Sequence, residues 1–285
     1  MAHPQIAVFA RLADGGAKPV RKIEGQKTLL NRANHAIFYD EIHDEIFVPQ
    51  PFAQAILTFR GGASGEEAPL RVIQGSLTGM TSLNRMTVDA VHNEIFVPNV
   101  NEQGQMEVLV FPRDANGNVA PLRVLKGSDT QLSPLSQIST SLAVDPVRNL
   151  LVAAGSQRGK NQAWFLIFNR TDQGNAKPKA VIGGPKTGFR TPAGPITVYP
   201  PRGWIIAGDQ GDEAPEFDEV VNDQSYVGVW SIQENGDVPP RWRIGGPKGI
   251  FQMPHGVALD LKHKELIATD KRLNAVLTFY FPEMF

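Results

Sequence analysis

Four side chains carry the donor atoms of a divalent-cation site: His35, His255, Asp209 and Asp270. Imidazole nitrogens beside carboxylates suit zinc or manganese, and carboxylate oxygens suit calcium. The competing reading is that these histidines and aspartates simply pair with loop groups. Joined by Gln50, Asn84, Arg85 and Asn99, the same four form a candidate ligand-binding set. A second candidate is the run from Asp209 to Asp223, DQGDEAPEFDEVVND, with seven acids and no base. Such a run could hold calcium or dock a basic partner, but it lacks the D-x-D-x-D-G spacing of a calcium loop. A solvated loop is the plainer expectation for it. Arg32, Arg85 and Arg190 could neutralise the acids or grip a carboxylate ligand. Nucleophilic chemistry has no support, because the chain contains no cysteine, no G-x-S-x-G and no phosphate-loop motif. GGPKTG from Gly183 and GGPKG from Gly245 read as turns.

The elements that must position these residues are repeats. PxRxIxG runs from Pro19 to Gly25, Pro69 to Gly75 and Pro121 to Gly127, with degraded copies from Pro178 to Gly184 and from Pro240 to Gly246. A threonine three residues after the last Gly recurs at Thr28, Thr78, Thr130 and Thr187. A second phrase closes on Asp40, Asp89, Asp145, Tyr199 and Asp260. A third, EIFVP-like, starts at Glu45, Glu94, Leu150, Trp204 and Glu265. A fourth is an apolar run closing on Phe9, Phe59, Phe111, Phe168, Trp230 and Phe279. These short runs, rich in Val, Ile, Leu and Phe and bounded by turn residues, are strands. Four per period of about 50 to 60 residues predict an all-β fold, a β-propeller of four-stranded antiparallel blades.

With strands lettered A (ending in Asp), B (EIFVP), C (ending in Phe) and D (PxRxIxG), the phrases count five A, five B, five D and six C. The literal count is five blades in one domain, 1–285, with blades near 36–75, 86–127, 141–184, 195–246, and 256–281 plus 5–25. The N-terminal D strand is expected to close the last blade, leaving IAVF as a spare or competing strand.

HGVALDLKHKELIATDKRLNAVLTF and AIFYDEIHDEIFVPQPFAQAILTF resemble NHL-repeat blades. The resemblance implies the superfamily that includes regucalcin/gluconolactonase-like and strictosidine-synthase-like propellers, and it favours six blades. It further implies that D–A and B–C loops open on one face. Two registers fall there: His35, Asn84, Thr140, Gly194 and His255 before strand A, and Gln50, Asn99, Gly155, Asp209 and Asp270 after strand B. Regucalcin-like relatives bind a catalytic divalent ion with carboxylate and asparagine ligands, which Asp209, Asp270 and Asn99 would match by type. The first register contains no acid to match those relatives' glutamate, which counts against lactone hydrolysis. His43, His92 and His263 belong to A–B turns whose aspartate accepts backbone hydrogen bonds. Trp164, Trp204, Trp230 and Trp242 are expected to pack between blades.

A formal net charge of -1 gives no footprint for nucleic acid. No apolar run approaches the ~20 residues of a membrane span. MAHPQIAVFA lacks the basic start and apolar stretch of a signal peptide, so a cytoplasmic protein, or an exported one already processed, is expected. The leading expectation is a non-enzymatic binding propeller that takes a small ligand or a protein at the D–A/B–C loops. The alternative is a divalent-metal-dependent hydrolase or lactonase.

Overall fold

The computed structural model describes residues 4–32, 34–81, 83–133, 135, 140–156, 162–192, 194–211 and 224–285. The fold is all-β, and the five blades match the literal repeat count. β1 (Gln5–Val8) and β2 (Arg21–Glu24) form a two-stranded sheet. Blade 1 is β3 (Phe38–Asp40), β4 (Glu45–Gln50), β5 (Ala55–Arg60) and β6 (Arg71–Ile73). Blade 2 is β7 (Thr87–Asp89), β8 (Glu94–Val100), β9 (Met106–Pro112) and β10 (Arg123–Leu125). Blade 3 is β11 (Ser141–Asp145), β12 (Leu150–Ser156), β13 (Ala163–Asn169) and β14 (Ala180–Gly183). Blade 4 is β15 (Thr197–Tyr199), β16 (Trp204–Asp209), β17 (Tyr226–Ser231) and β18 (Trp242–Gly245). β19 (Pro254–Asp260), β20 (Glu265–Asp270) and β21 (Ala275–Tyr280) are the A, B and C strands of blade 5. The N-terminal D phrase lies in β2, and its pairing differs from the expectation: Ile23 pairs with Ile6 of β1, so the IAVF strand expected to be spare or competing is the partner of β2. Among the described residues the two form a sheet of their own rather than a pairing with β21. Every described sheet is an antiparallel meander in chain order, as short turns demand.

The chain packs as two compact units, 1–101 with 109–122, and 102–108 with 123–285. In the first, Ile23, Ile46, Val48, Leu57, Phe59 and Ala63 make a core. In the second, Phe165, Phe189, Tyr226 and Trp230 anchor one core, and Phe251, Leu266 and Met284 help to form another. Phe165 stacks on Phe189 at 4.3 Å, and both tilt against fully buried Trp230. Trp204 meets Trp242 edge-on at 5.5 Å and donates its indole N–H to the Met284 carbonyl. B strands such as β4 are buried on both faces, which explains why they read as unbroken apolar runs rather than alternating ones.

Two devices repeat. In the A–B turn, Asp40 Oδ1 accepts the N–H of Ile42 and His43, and Asp40 Oδ2 meets His43 Nδ1 at 2.8 Å. Asp89 with His92, Asp145 with Arg148, and Asp260 with His263 repeat the arrangement. The three histidines are thus turn staples, as expected.

The second device ties four of the D strands, β2, β6, β10 and β14, to the C–D turn of the following blade. Ile23 bridges Gly65, Ile73 bridges Gly117, Leu125 bridges Gly174, and Ile182 bridges Gly236. One side chain of the turn then caps the 3-10 turn that follows the D strand. Glu66 accepts Gln26 N–H, Asn118 accepts Leu77 N–H, Asn175 accepts Asp129 N–H, and Asp237 accepts Lys186 N–H, each at 2.7 or 2.8 Å. Gly75, with φ 130°, makes room for this: a Cβ there would lie 2.4 Å from the Asn118 side chain. This explains the invariant last glycine of PxRxIxG.

Asn118→Ala removes one such cap. It is expected to cost about 0.5–1 kcal/mol and to lower the thermal midpoint by about 1–4 °C, measured by calorimetry.

Candidate functional site

The D–A connections are built on the recurring threonine. Thr28 Oγ1 donates to the Gly25 carbonyl at 2.6 Å and accepts Leu30 N–H at 3.3 Å. Thr78, Thr130 and Thr187 do the same. The connection then needs acceptors for its next amides. These come from the residue that ends strand B, on the neighbouring strand pair.

Gln50 Oε1 accepts Asn31 N–H at 2.7 Å, and Gln50 Nε2 donates to Asn34 Oδ1 at 2.7 Å. Asn99 Oδ1 accepts Thr81 N–H at 2.9 Å, and Asn99 Nδ2 donates to the Gly79 carbonyl at 3.0 Å. Asp209 Oδ2 accepts Arg190 and Thr191 N–H at 2.6 and 3.0 Å, and Oδ1 accepts Gly211 N–H at 2.7 Å. Asp270 Oδ2 accepts Gln252 and Met253 N–H, and Oδ1 accepts Arg272 and Leu273 N–H, all between 2.8 and 3.0 Å. All four side chains are buried. In blade 3 the slot holds Gly155, and a Cβ there would press on Thr140 Oγ1 and Leu135 at 3.1 and 3.2 Å.

The second register is therefore a set of loop staples. Its members differ in type but share one property, a side-chain oxygen that accepts amide hydrogens. For Asp209, burial pushes the carboxyl up to about 7, against the opposing pull of its three backbone donors.

Of the four residues offered as a metal set, Asp209, Asp270 and His255 lie in the second unit and His35 in the first. His35 is exposed in the connection to β3. His255 lies in β19, and its carbonyl packs against Gly194, where a Cβ would stand only 1.7 Å away. The oxygens of Asp209 and Asp270 face backbone amides of their own loops. Asn84 is half-buried, and Arg85 is buried, with its guanidinium pushed down to about 10 by desolvation. Most of the acidic run, 212–223, lies outside the described residues.

Where the structure gathers chemistry is the loop end of blade 4. A cleft of about 480 Å³ is lined by Arg190, Asp209, Gln224, Tyr226, Arg243 and glycines of the rim. Arg190 comes from the connection between β14 and β15, and its Nη1 donates to Gln224 Oε1 at 2.8 Å. Tyr226 is buried, which raises its pKa and keeps it protonated. Its hydroxyl donates to the Gly188 carbonyl at 2.7 Å. The Arg243 guanidinium stacks on the Tyr226 ring, 3.8 Å from its centroid. A second hollow of about 460 Å³, in the first unit, is lined by Pro4, Glu24, Gly25, Gln26 and Leu30, and its one charged side chain among the described lining residues, Glu24, pairs with Lys22 at 3.8 Å.

Sequence reasoning placed Asp209 and Arg190 here but missed Arg243 and Tyr226. A signal existed. In blades 1 and 3 the C and D strands face each other through Leu57 with Val72 and Leu166 with Val181. In blade 4 that pair is Gly228 with Arg243. A Cβ on Gly228 would strike the Trp230 and Tyr226 rings at 2.3 and 2.9 Å, so the glycine is what lets those rings fold over the strand.

No protein-family model matches the chain, and no curated protein sequence matches it. Solved structures do. The hydrazine synthase of Kuenenia stuttgartiensis superposes with a TM-score of 0.62 at 13% identity, covering 92% of this chain and 67% of that one. Nidogen, from a nidogen/laminin complex, gives 0.56 at 13% identity, covering 99% of this chain and 92% of that one. A functionally unknown protein of Desulfotomaculum acetoxidans gives 0.56 at 10% identity, covering 99% and 77%. At these identities the likeness is one of fold, the β-propeller.

Two measurements check the staples. Asp270→Ala strands four amides and is expected to cost about 2–4 kcal/mol, read from denaturant unfolding. Asp209 holds its proton more tightly folded than unfolded, so its contribution to stability is greatest at low pH and falls between pH about 4 and 7. The thermal midpoint of Asp209→Asn relative to the wild type should therefore rise over that window and level off above it.

Proposed function

We propose that this chain is a non-enzymatic binding propeller that takes a small ligand in the blade 4 cleft. The carrying observation is the convergence of Arg190, Gln224, Tyr226 and Arg243, from two connections and two strands, on one hollow of about 480 Å³. That volume is in the range of small-molecule sites, and the walls are preorganised by the Asp209 staple and the Tyr226–Gly188 hydrogen bond. Propellers serve many chemistries, so the argument rests on the site and not on the fold. The NHL-like repeats agree with a scaffold that presents loops, and they name no ligand. Metal-dependent lactone hydrolysis draws no comparable support, because the Asp209 and Asp270 oxygens are taken up by loop amides.

The test is a thermal-shift screen of small molecules against the wild type and Gln224→Trp, which fills the cleft from its exposed edge. A ligand at a hundred times its Kd stabilises the folded state by about 2.7 kcal/mol. A compound that raises the midpoint of the wild type and leaves Gln224→Trp unmoved supports the cleft. Compounds that stabilise both proteins equally, or a screen with no stabilising compound, overturn it.

A further inference from the structure

We infer that the group recognised in the blade 4 cleft is an oxyanion, a carboxylate or phosphate carried by a small molecule, gripped between Arg243 and Arg190. The inference rests on the cleft being the binding site and names the chemistry of what enters it.

Arg243 occupies a slot that the other D strands fill with Lys22, Val72, Val124 and Val181. In blades 1 and 3 this slot faces a leucine across the sheet. In blade 4 both partners change together, to glycine and arginine. The change leaves the guanidinium over the Tyr226 ring, 3.8 Å from its centroid, with Nη1 3.8 Å from the Cβ position of Gly188, which also lines the cleft. Among the described residues no carboxylate pairs with Arg243. A guanidinium immobilised on an aromatic face has already lost much of its rotamer freedom, so an oxyanion that meets it forfeits little more entropy.

Arg190 supplies a second guanidinium, held by Gln224 at 2.8 Å. Among the described lining residues the one acid is Asp209, whose oxygens accept three backbone amides and whose carboxyl is pushed up to about 7 by burial. The described lining thus sets two guanidinium groups against one carboxyl. Gly245 and Gly246, at φ 124° and 95°, put no side chain over their part of the rim, so an anion can approach the backbone there. Two guanidinium forks lining one cleft, one of them set on an aromatic ring, match a planar or tetrahedral oxyanion.

The experiment is isothermal titration of the full chain with inorganic phosphate and, separately, with citrate. Saturable binding of either, weakened about tenfold by Arg243→Gln and about a hundredfold by Arg190→Gln with Arg243→Gln, is the expected result. Binding should also weaken with added sodium chloride. Preference for citrate or for phosphate identifies which oxyanion the site takes. Circular dichroism of each variant reports its folding, and Arg243→Lys, which keeps the charge but loses the stacked fork, should recover only part of the affinity. Failure of both anions to bind, or equal binding by wild type and Arg243→Gln, overturns the assignment. If a neutral compound is displaced by Gln224→Trp while neither anion binds, the cleft stands and its oxyanion chemistry falls. If an anion binds and Gln224→Trp leaves it unchanged, the cleft itself falls.

Discussion

Everything at the loop end of this protein depends on satisfying the backbone amides of the D–A connections. These connections turn inward beneath neighbouring loops, where water cannot serve every N–H, and a buried amide without a partner costs as much as a lost hydrogen bond. The threonine of each 3-10 turn answers for one amide, and the last residue of strand B answers for the next one or two. Gln50, Asn99, Asp209 and Asp270 share this task because each is buried and presents a side-chain oxygen to amides of its own connection. Their diversity in type hides a single physical role.

That role also determines where function can sit. A position bound to hold a loop is poorly suited to hold a ligand, so the proposed recognition falls to residues that the repeat does not hold in common. Blade 4 shows the shift. Asp209 fixes the loop from which Arg190 projects, and Tyr226 is pinned to the Gly188 carbonyl. Against this rigid frame the exchange of a leucine–valine pair for Gly228 and Arg243 converts ordinary sheet surface into one wall of a cleft. The cleft exists because one copy of the module departs from the others.

The fold was legible in the sequence to a high degree. Strand positions, blade count and the Asp–His turn all follow from phrases repeated nearly letter for letter. The site was legible only in part. Asp209 and Arg190 stood out, yet Asp209 looked like a ligand because variation within a register resembles a grafted site. Sequence types alone do not separate variation of chemistry from variation among equivalent acceptors. Burial does, and burial at a strand end depends on how the next loop folds back. Arg243 was hidden for a different reason: it lies inside a strand phrase, where attention goes to what the copies share. His35 and His255 were paired on the expectation of neighbouring loops, whereas His255 is a strand residue packed by its carbonyl against Gly194.

The tie between a D strand and the turn of the following blade has a direction. In the four ties described, the half made first, with its open glycine, waits for an asparagine or acid made 40 to 51 residues later. A chain leaving the ribosome therefore exposes one unmet clasp at a time, and each newly completed module secures its predecessor. Assembly can advance from the amino terminus without long-range searching, and a gene that gains or loses one whole copy keeps every clasp matched.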